Sequence, residues 1–296
     1  IVVSTAEHHD NLVSWQMVAE RTGAVLKYMP VSSDGTVDHR ALAKTITFRT
    51  KLLAVAHVSH VTGSINDVRS MVEFAKCVNV KVLVDASQSL AHVMVDVQRL
   101  GCDFLVASSE KVFAPGGAGF LFAKAPLLDK LAPFLVGGES MFRDVSKSRA
   151  TFEGPSAKFE AGFLPMAQAV AFACAVQKLV ASRSLAEARV PIDRRSAQLA
   201  EHLLKRLRQH ETVTVYGAGS GSSPRAPICT FNVDGVVPEE LHSALLERGV
   251  VTSVGTQDAA LYHRELGISS SLRVSFSRYS SVEEIDRFDT LLCDAT

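Results

Sequence analysis

Over residues 51–122 the chain alternates short apolar runs with stretches of helical periodicity, and this alternation limits the fold more than any other feature. The runs cover residues 51–58, 80–84, 104–107 and 119–122, with a helix expected at 68–78. Runs that are apolar on both faces and separated by helices belong to a mainly parallel sheet. Parallel strands need long crossovers, and the crossover helices cover both faces. Ile1-Val2-Val3 reads as a further strand. Residues 1–165 are therefore expected to form a large α/β domain. Because the sequence opens inside a strand and without Met, the first part of that domain and any targeting peptide are expected to be missing from it.

The pattern then changes. A helix rich in small residues is expected at 166–180, within a connecting stretch 166–190, and Pro191 is expected to open a second helix running to about residue 210. A Gly/Ser loop follows at 217–224. After it come runs at 229–233, 250–253 and 272–277, a helix at 238–248, and a last helix starting near Val282. This succession predicts a smaller α+β domain over residues 191–296.

Composition excludes several classes of function. At 296 residues, with 47% hydrophobic and 21% charged, the chain is an ordinary globular protein of about two domain lengths. Its 31 basic side chains cancel 31 acidic ones, so no global field draws in nucleic acid or an anionic membrane. The basic run Lys205-Arg206-Leu207-Arg208 shares a helix with Leu199 and Leu203 and is expected to be a solvated outer face. No stretch reaches the roughly 20 apolar residues that span a bilayer, since residues 165–181 are broken by Gln168, Gln177 and Lys178. Cys77, Cys102, Cys174, Cys229 and Cys293 form no CxxC pair and have no His at ligand spacing. No metal site is expected from them; they read as buried small apolar residues in a reducing compartment.

Two strands end in groups that carry chemistry. Val82-Leu83-Val84-Asp85 ends in a carboxylate, and the run from Phe104 continues through Ser108-Ser109-Glu110 to Lys111, before the loop Pro115-Gly116-Gly117-Ala118-Gly119. In a parallel sheet such ends converge on one crevice. Taken bare, the structural reading comes first: Asp85 as a helix N-cap and Lys111 as a surface charge.

A wider set of motifs bears on that choice: Asp85-Ala86-Ser87-Gln88-Ser89, His92, Ser108-x-x-Lys111, the 115–119 loop, Lys158-Phe159-Glu160-Ala161-Gly162, Arg273-Val274-Ser275-Phe276, and the segment from Glu7-His8-His9 to Gln16. Taken in chain order they resemble the class V pyridoxal phosphate (PLP) enzymes, of the type I PLP-dependent transferase fold, and among them the group II cysteine desulfurases and selenocysteine lyases. The resemblance implies that Lys111 holds the PLP aldehyde, Asp85 pairs with the pyridine nitrogen, Gln88 binds the ring oxygen and His8 stacks on the ring. It also implies that Ser108 binds the phosphate, that His60 stands in for a site asparagine, and that Arg273 grips the substrate carboxylate. Lys111, His8 and Arg273 are thus the expected catalytic residues.

The chain departs from that family where sulfur and phosphate are handled. The family carries its persulfide on a loop cysteine, where this chain has Asp258 within Ser253-Val254-Gly255-Thr256-Gln257-Asp258-Ala259. A carboxylate forms no persulfide. The family histidine before the lysine is Glu110, and a Gly-Thr-Pro whose threonine reaches the phosphate across the dimer is Gly162-Phe163-Leu164. Two functions are consistent with these losses. The first is a catalytically degenerate structural or interaction subunit of a larger assembly. The alternative is an active PLP enzyme of another type, such as a cysteine or cystine C–S lyase working by β-elimination. The resemblance further implies a homodimer through the large domain, or a hetero-assembly remodelled at Phe163 and Leu164, and a mitochondrial or plastid location.

Overall fold

The structure is a computed structural model that describes residues 1–182, 192–218 and 224–296. The end of the expected 166–190 stretch, Pro191, and the middle of the 217–224 loop lie outside the described residues. In chain order the first part runs β1 (Val2–Ser4), α1 (His9–Thr22), β2 (Lys27–Met29), α2 (His39–Thr45), β3 (Leu52–Ala56) and α3 (Val68–Cys77). It continues with β4 (Lys81–Asp85), α4 (Ser89–His92), α5 (Val97–Leu100), β5 (Phe104–Ser108), β6 (Gly119–Ala123) and α6 (Ala125–Lys130).

These strands form one sheet in the order β2-β1-β3-β4-β5-β6. The first five are parallel, and β6 returns antiparallel to β5. Leu53, Val55, Val82, Val84 and Leu105 are buried against Met71, Val72 and Ala75 of α3. At about 1.5–3 kcal/mol for each large apolar side chain removed from water, this layer supplies much of the driving force for the fold. The register sets Ala56 opposite Asp85, and Asp85 opposite Val106. The C-terminal ends of β3, β4 and β5 therefore lie level, as a crevice at the sheet end requires.

A hairpin, β7 (Phe142–Val145) with β8 (Ala150–Phe152), and the helix α7 (Met166–Ala181) follow. The remaining elements are α8 (Arg194–Leu207), β9 (Val213–Val215), β10 (Ile228–Val233), α9 (Pro238–Glu247), β11 (Ser253–Gly255), α10 (Ala260–Glu265), β12 (Ser271–Ser275) and α11 (Val282–Cys293). An antiparallel sheet of order β11-β12-β10-β9 packs Phe231 and Leu272 against Leu199, Leu203 and Leu207 of α8 and against Ile285, Phe288 and Leu292 of α11. This second core shares no residue with the first.

Several local expectations change. α8 starts at Arg194, because Asp193 caps it by accepting from the Ser196 N–H at 3.0 Å. The strand expected at 250–253 pairs only from Ser253 to Gly255, leaving Val251 exposed. β9 was not anticipated: three residues are too few for a periodic signal. Of the five cysteines only Cys102 and Cys229 are buried; Cys77, Cys174 and Cys293 are exposed. Helix position decides that, since Cys77 and Cys293 are the last residues of α3 and α11. The basic run is not wholly solvated either. Arg206 reaches Asp286 at 2.6 Å and, with the His202–Asp286 and His210–Asp289 pairs, ties α8 to α11. No helix among the described residues is long and apolar enough to cross a membrane.

Candidate active site

Lys111 sits on a single 3₁₀ turn, Glu110–Val112, directly after β5. Ser109 holds that turn in place. Its backbone N–H donates to Ala118 O at 2.9 Å, and its hydroxyl donates to Pro115 O at 2.7 Å. The glycine-rich loop can return this closely because a Cβ at Gly119 would meet Ala107 O at 3.0 Å.

The turn forms one wall of a cavity of about 430 Å³ at the C-terminal ends of β3, β4 and β5. Six of the expected site residues line it: His8, His60, Asp85, Gln88, Ser108 and Lys111. Asp85 Oδ1 accepts the Ser87 N–H at 2.9 Å. It is not the expected N-cap, because α4 starts at Ser89 and the capping position is Gln88, whose side chain makes no capping bond. The Gln88 amide is thereby left to line the cavity.

His8 is the N-cap of α1. Its Nδ1 accepts the Asp10 N–H at 3.2 Å, so a neutral ring carries its proton on Nε2. That nitrogen lies 3.6 Å from Asp258 Oδ2. The ring meets His60 edge-on, with centroids 4.9 Å apart. His60 is buried, and its Nε2 donates to Gln257 O at 2.8 Å. Burial, reinforced by the nearby His8 and Arg273, pushes His60 down to about 3, which keeps it neutral.

Arg273 and Asp258 are not among the lining residues, but each meets one that is, His60 and His8 respectively. Arg273 crosses from β12 to donate from Nη1 to His60 O at 2.9 Å, and from Nη2 to Ser253 Oγ at 3.2 Å. Its Nε is buried with no hydrogen-bond partner among the described residues. Asp258 is pinned by its backbone: its carbonyl accepts the His9 N–H at 2.8 Å, and Gln257 and Asp258 hold φ of 52° and 55°. Two successive non-glycine residues in the left-handed region are strained, and the surrounding bonds hold them there.

Ser108 departs from the expected arrangement. Its hydroxyl donates to Glu110 Oε1 at 2.7 Å, and both groups line the cavity. The hydroxyl expected to meet a phosphate thus already meets a carboxylate.

Two residues of this wall, Asn11 and Trp15 of α1, and Glu7 just before that helix were given no role from sequence. The three recur every four residues, and that spacing was the available signal. Trp15 Nε1 donates to Asn11 Oδ1 at 3.0 Å, and Asn11 Nδ2 donates to Glu7 Oε2 at 2.8 Å.

The family described as Aminotransferase class-V matches residues 1–288. The chain is 37% identical over 286 residues to a probable cysteine desulfurase of Halalkalibacterium halodurans, covering 97% of this chain and 68% of that protein. It is 35% identical over 289 residues to a cysteine desulfurase of Haloferax volcanii, covering 97% and 66%. Among solved structures, the S-sulfonic acid form of a cysteine desulfurase from Escherichia coli aligns with a TM-score of 0.89 at 30% identity, over 99% of this chain and 71% of that one. The apo cysteine desulfurase of Thermococcus onnurineus aligns at 0.90 and 29%, over 99% and 72%. The chain thus spans about two thirds of the length of the curated relatives it matches.

Proposed function

This chain belongs to the aminotransferase class V family, close to the cysteine desulfurases, and on that footing we propose that it holds PLP in the cavity and cleaves the carbon–sulfur bond of cysteine or a related small amino acid by β-elimination. The observation that carries this reading is that Lys111, Asp85, Gln88 and His8 line one cavity while none of the five cysteines does. An amine, a carboxylate, an amide and an imidazole suit the ring end of PLP. Arg273, bonded to the cavity residue His60 and with its Nε unpartnered among the described residues, is the cation suited to an anionic substrate group.

When bound, PLP supplies an electron sink that lets the α-proton of an amino acid leave. Lys111 would hold the cofactor through its amine and would serve as the base for that proton. Asp85 would pair with the ring nitrogen, Gln88 would bind the ring oxygen and His8 would cover the ring face. Arg273 exchanges its contact with Ser253 for the substrate carboxylate in a two-pronged grip. Asp258, at the place of the family's sulfur nucleophile, offers no thiolate, so sulfur departs as sulfide. In balance, cysteine and water give pyruvate, ammonia and sulfide.

The full-length protein is expected to develop a visible absorption band with added PLP, lost in Lys111→Ala, and to release sulfide and pyruvate from cysteine in equal amounts. Alanine with protein-bound persulfide would instead mean desulfurase chemistry and defeat the elimination reading. The first expectation from sequence, a non-catalytic subunit, keeps one observation in its favour: the Glu110 carboxylate bonded to Ser108. Absence of any band at excess PLP would defeat the elimination reading and leave the non-catalytic one standing. The partner proposed in either case is a second copy of this chain, seated on an exposed apolar face that includes Phe134, Leu135, Phe163 and Met166.

A further inference from the structure

Glu7 lies behind the cavity wall and is 1% exposed. Its Oε2 accepts the Asn11 Nδ2–H at 2.8 Å and the Ala56 N–H at 2.9 Å, and Ser4 Oγ donates to Oε1 at 2.5 Å. Ala56 is the register partner of Asp85. The two carboxyl groups therefore stand at neighbouring strand ends. The groups that contact Glu7 are uncharged: a hydroxyl from β1, a backbone amide from β3 and a side-chain amide from α1. The charged group acting on it is Asp85, from β4. A buried carboxylate with no cation beside it is costly to ionise, and the negative charge of Asp85 adds to that cost.

We propose that Glu7 is a positioning residue that keeps its proton up to neutral pH, tying the start of α1 to the ends of β1 and β3 beside the strand that carries Asp85. The geometry suits a neutral acid. Oε2 already accepts two N–H bonds, whereas Oε1 faces a hydroxyl that can accept a proton as well as give one. Burial, reinforced by the charge of Asp85 and opposed by the hydrogen bonds, pushes Glu7 up to about 7. The consequence for the cofactor rests on the PLP reading above. A second charge appearing at Glu7 changes how strongly Asp85 holds the proton on the ring nitrogen.

Glu7→Gln is the neutral isostere: it accepts from Asn11 and Ala56 and donates to Ser4. Urea unfolding of the cofactor-free, full-length protein is to be followed from pH 4.5 to 8.5 for wild type and variant. A carboxyl whose folded pKa is raised binds more protons folded than unfolded, so stability falls as pH rises across that window. The folding constant of wild type relative to Glu7→Gln is expected to drop about a hundredfold between pH 4.5 and 7 and then level off. Parallel profiles overturn the proposal. Should Glu7→Gln fail to fold, the carboxyl ¹³C resonance of Glu7 in wild type decides it, titrating near neutrality if the proposal holds and below pH 5 if not. With PLP added, the absorption band of wild type is expected to shift through neutral pH and that of Glu7→Gln to stay constant. Identical shifts overturn the link to Asp85. No band in either protein means that the PLP reading has failed, while the unfolding profiles still decide the proton on Glu7.

Discussion

Glu110 is the residue whose effect on cofactor affinity is expected to be measurable apart from the ring contacts. Two unit charges 4 Å apart repel by about 4 kcal/mol at an effective dielectric of 20, and solvent reduces this for an exposed group. Ser108 holds the carboxylate toward the cavity at 2.7 Å. Glu110→Gln is therefore expected to tighten PLP about ten- to a hundredfold while changing the affinity for pyridoxal, which lacks the phosphate, by less than about threefold. Absorbance titrations with both compounds check this, and equal gains for both would place the effect elsewhere. At this scale Asp85 and Lys111 stood out in sequence at strand ends, where their bare reading was a helix cap and a surface charge. Their place at one cavity, like that of Gln88, was legible only through the resemblance to the class V family. Glu7 was not, because a glutamate just ahead of a helix looks like an ordinary acid near its N-terminus until β1 and β3 close over it.

The turn after β3 joins the two sheets. Its His57 and His60 are buried, and His60 links Gln257 and Arg273 of the second sheet's neighbourhood to the first. Burial pushes His57 down to about 4 and His60 to about 3. A histidine whose folded pKa is depressed contributes stability above its unfolded value, near 6.5, and loses it as pH falls toward the folded value. Wild type is thus expected to lose on the order of 4 kcal/mol relative to His60→Asn between pH 6.5 and about 3. Urea unfolding at fixed pH points measures this, and a flat difference would mean that His60 is already charged in the folded chain. The buried strands β3, β4 and β5 were legible because continuous apolar runs leave little choice. β11 moved because only pairing with β12 decides which of the residues after Val250 join the ladder.

On the scale of the whole molecule, the exposed apolar face needs a cover. The bond from the Gly162 N–H to Gly137 O, at 2.9 Å, brings the Phe134-Leu135-Val136 run beside Phe163, the most exposed phenylalanine of the chain. Each phenylalanine buried at an interface contributes roughly 2–3 kcal/mol. The protein is expected to sediment as a dimer at micromolar concentration, and Phe163→Glu to weaken association at least about a hundredfold. A monomeric wild type would remove the second copy as the occupant.

By itself the sequence determined the layered α/β architecture, the strand ends that carry Asp85 and Lys111, and the presence of Asp258 in a loop without cysteine. All three follow from local pattern, since strand direction and chain order place those groups. Only the tertiary structure decided that Ser108 turns to Glu110, that Asp258 rests against His8, and that Glu7 bonds the end of β3, the strand paired with the one that carries Asp85. Those are contacts between groups whose partners, protonation and burial depend on neighbouring elements. Such contacts exist only once the sheets have closed around them.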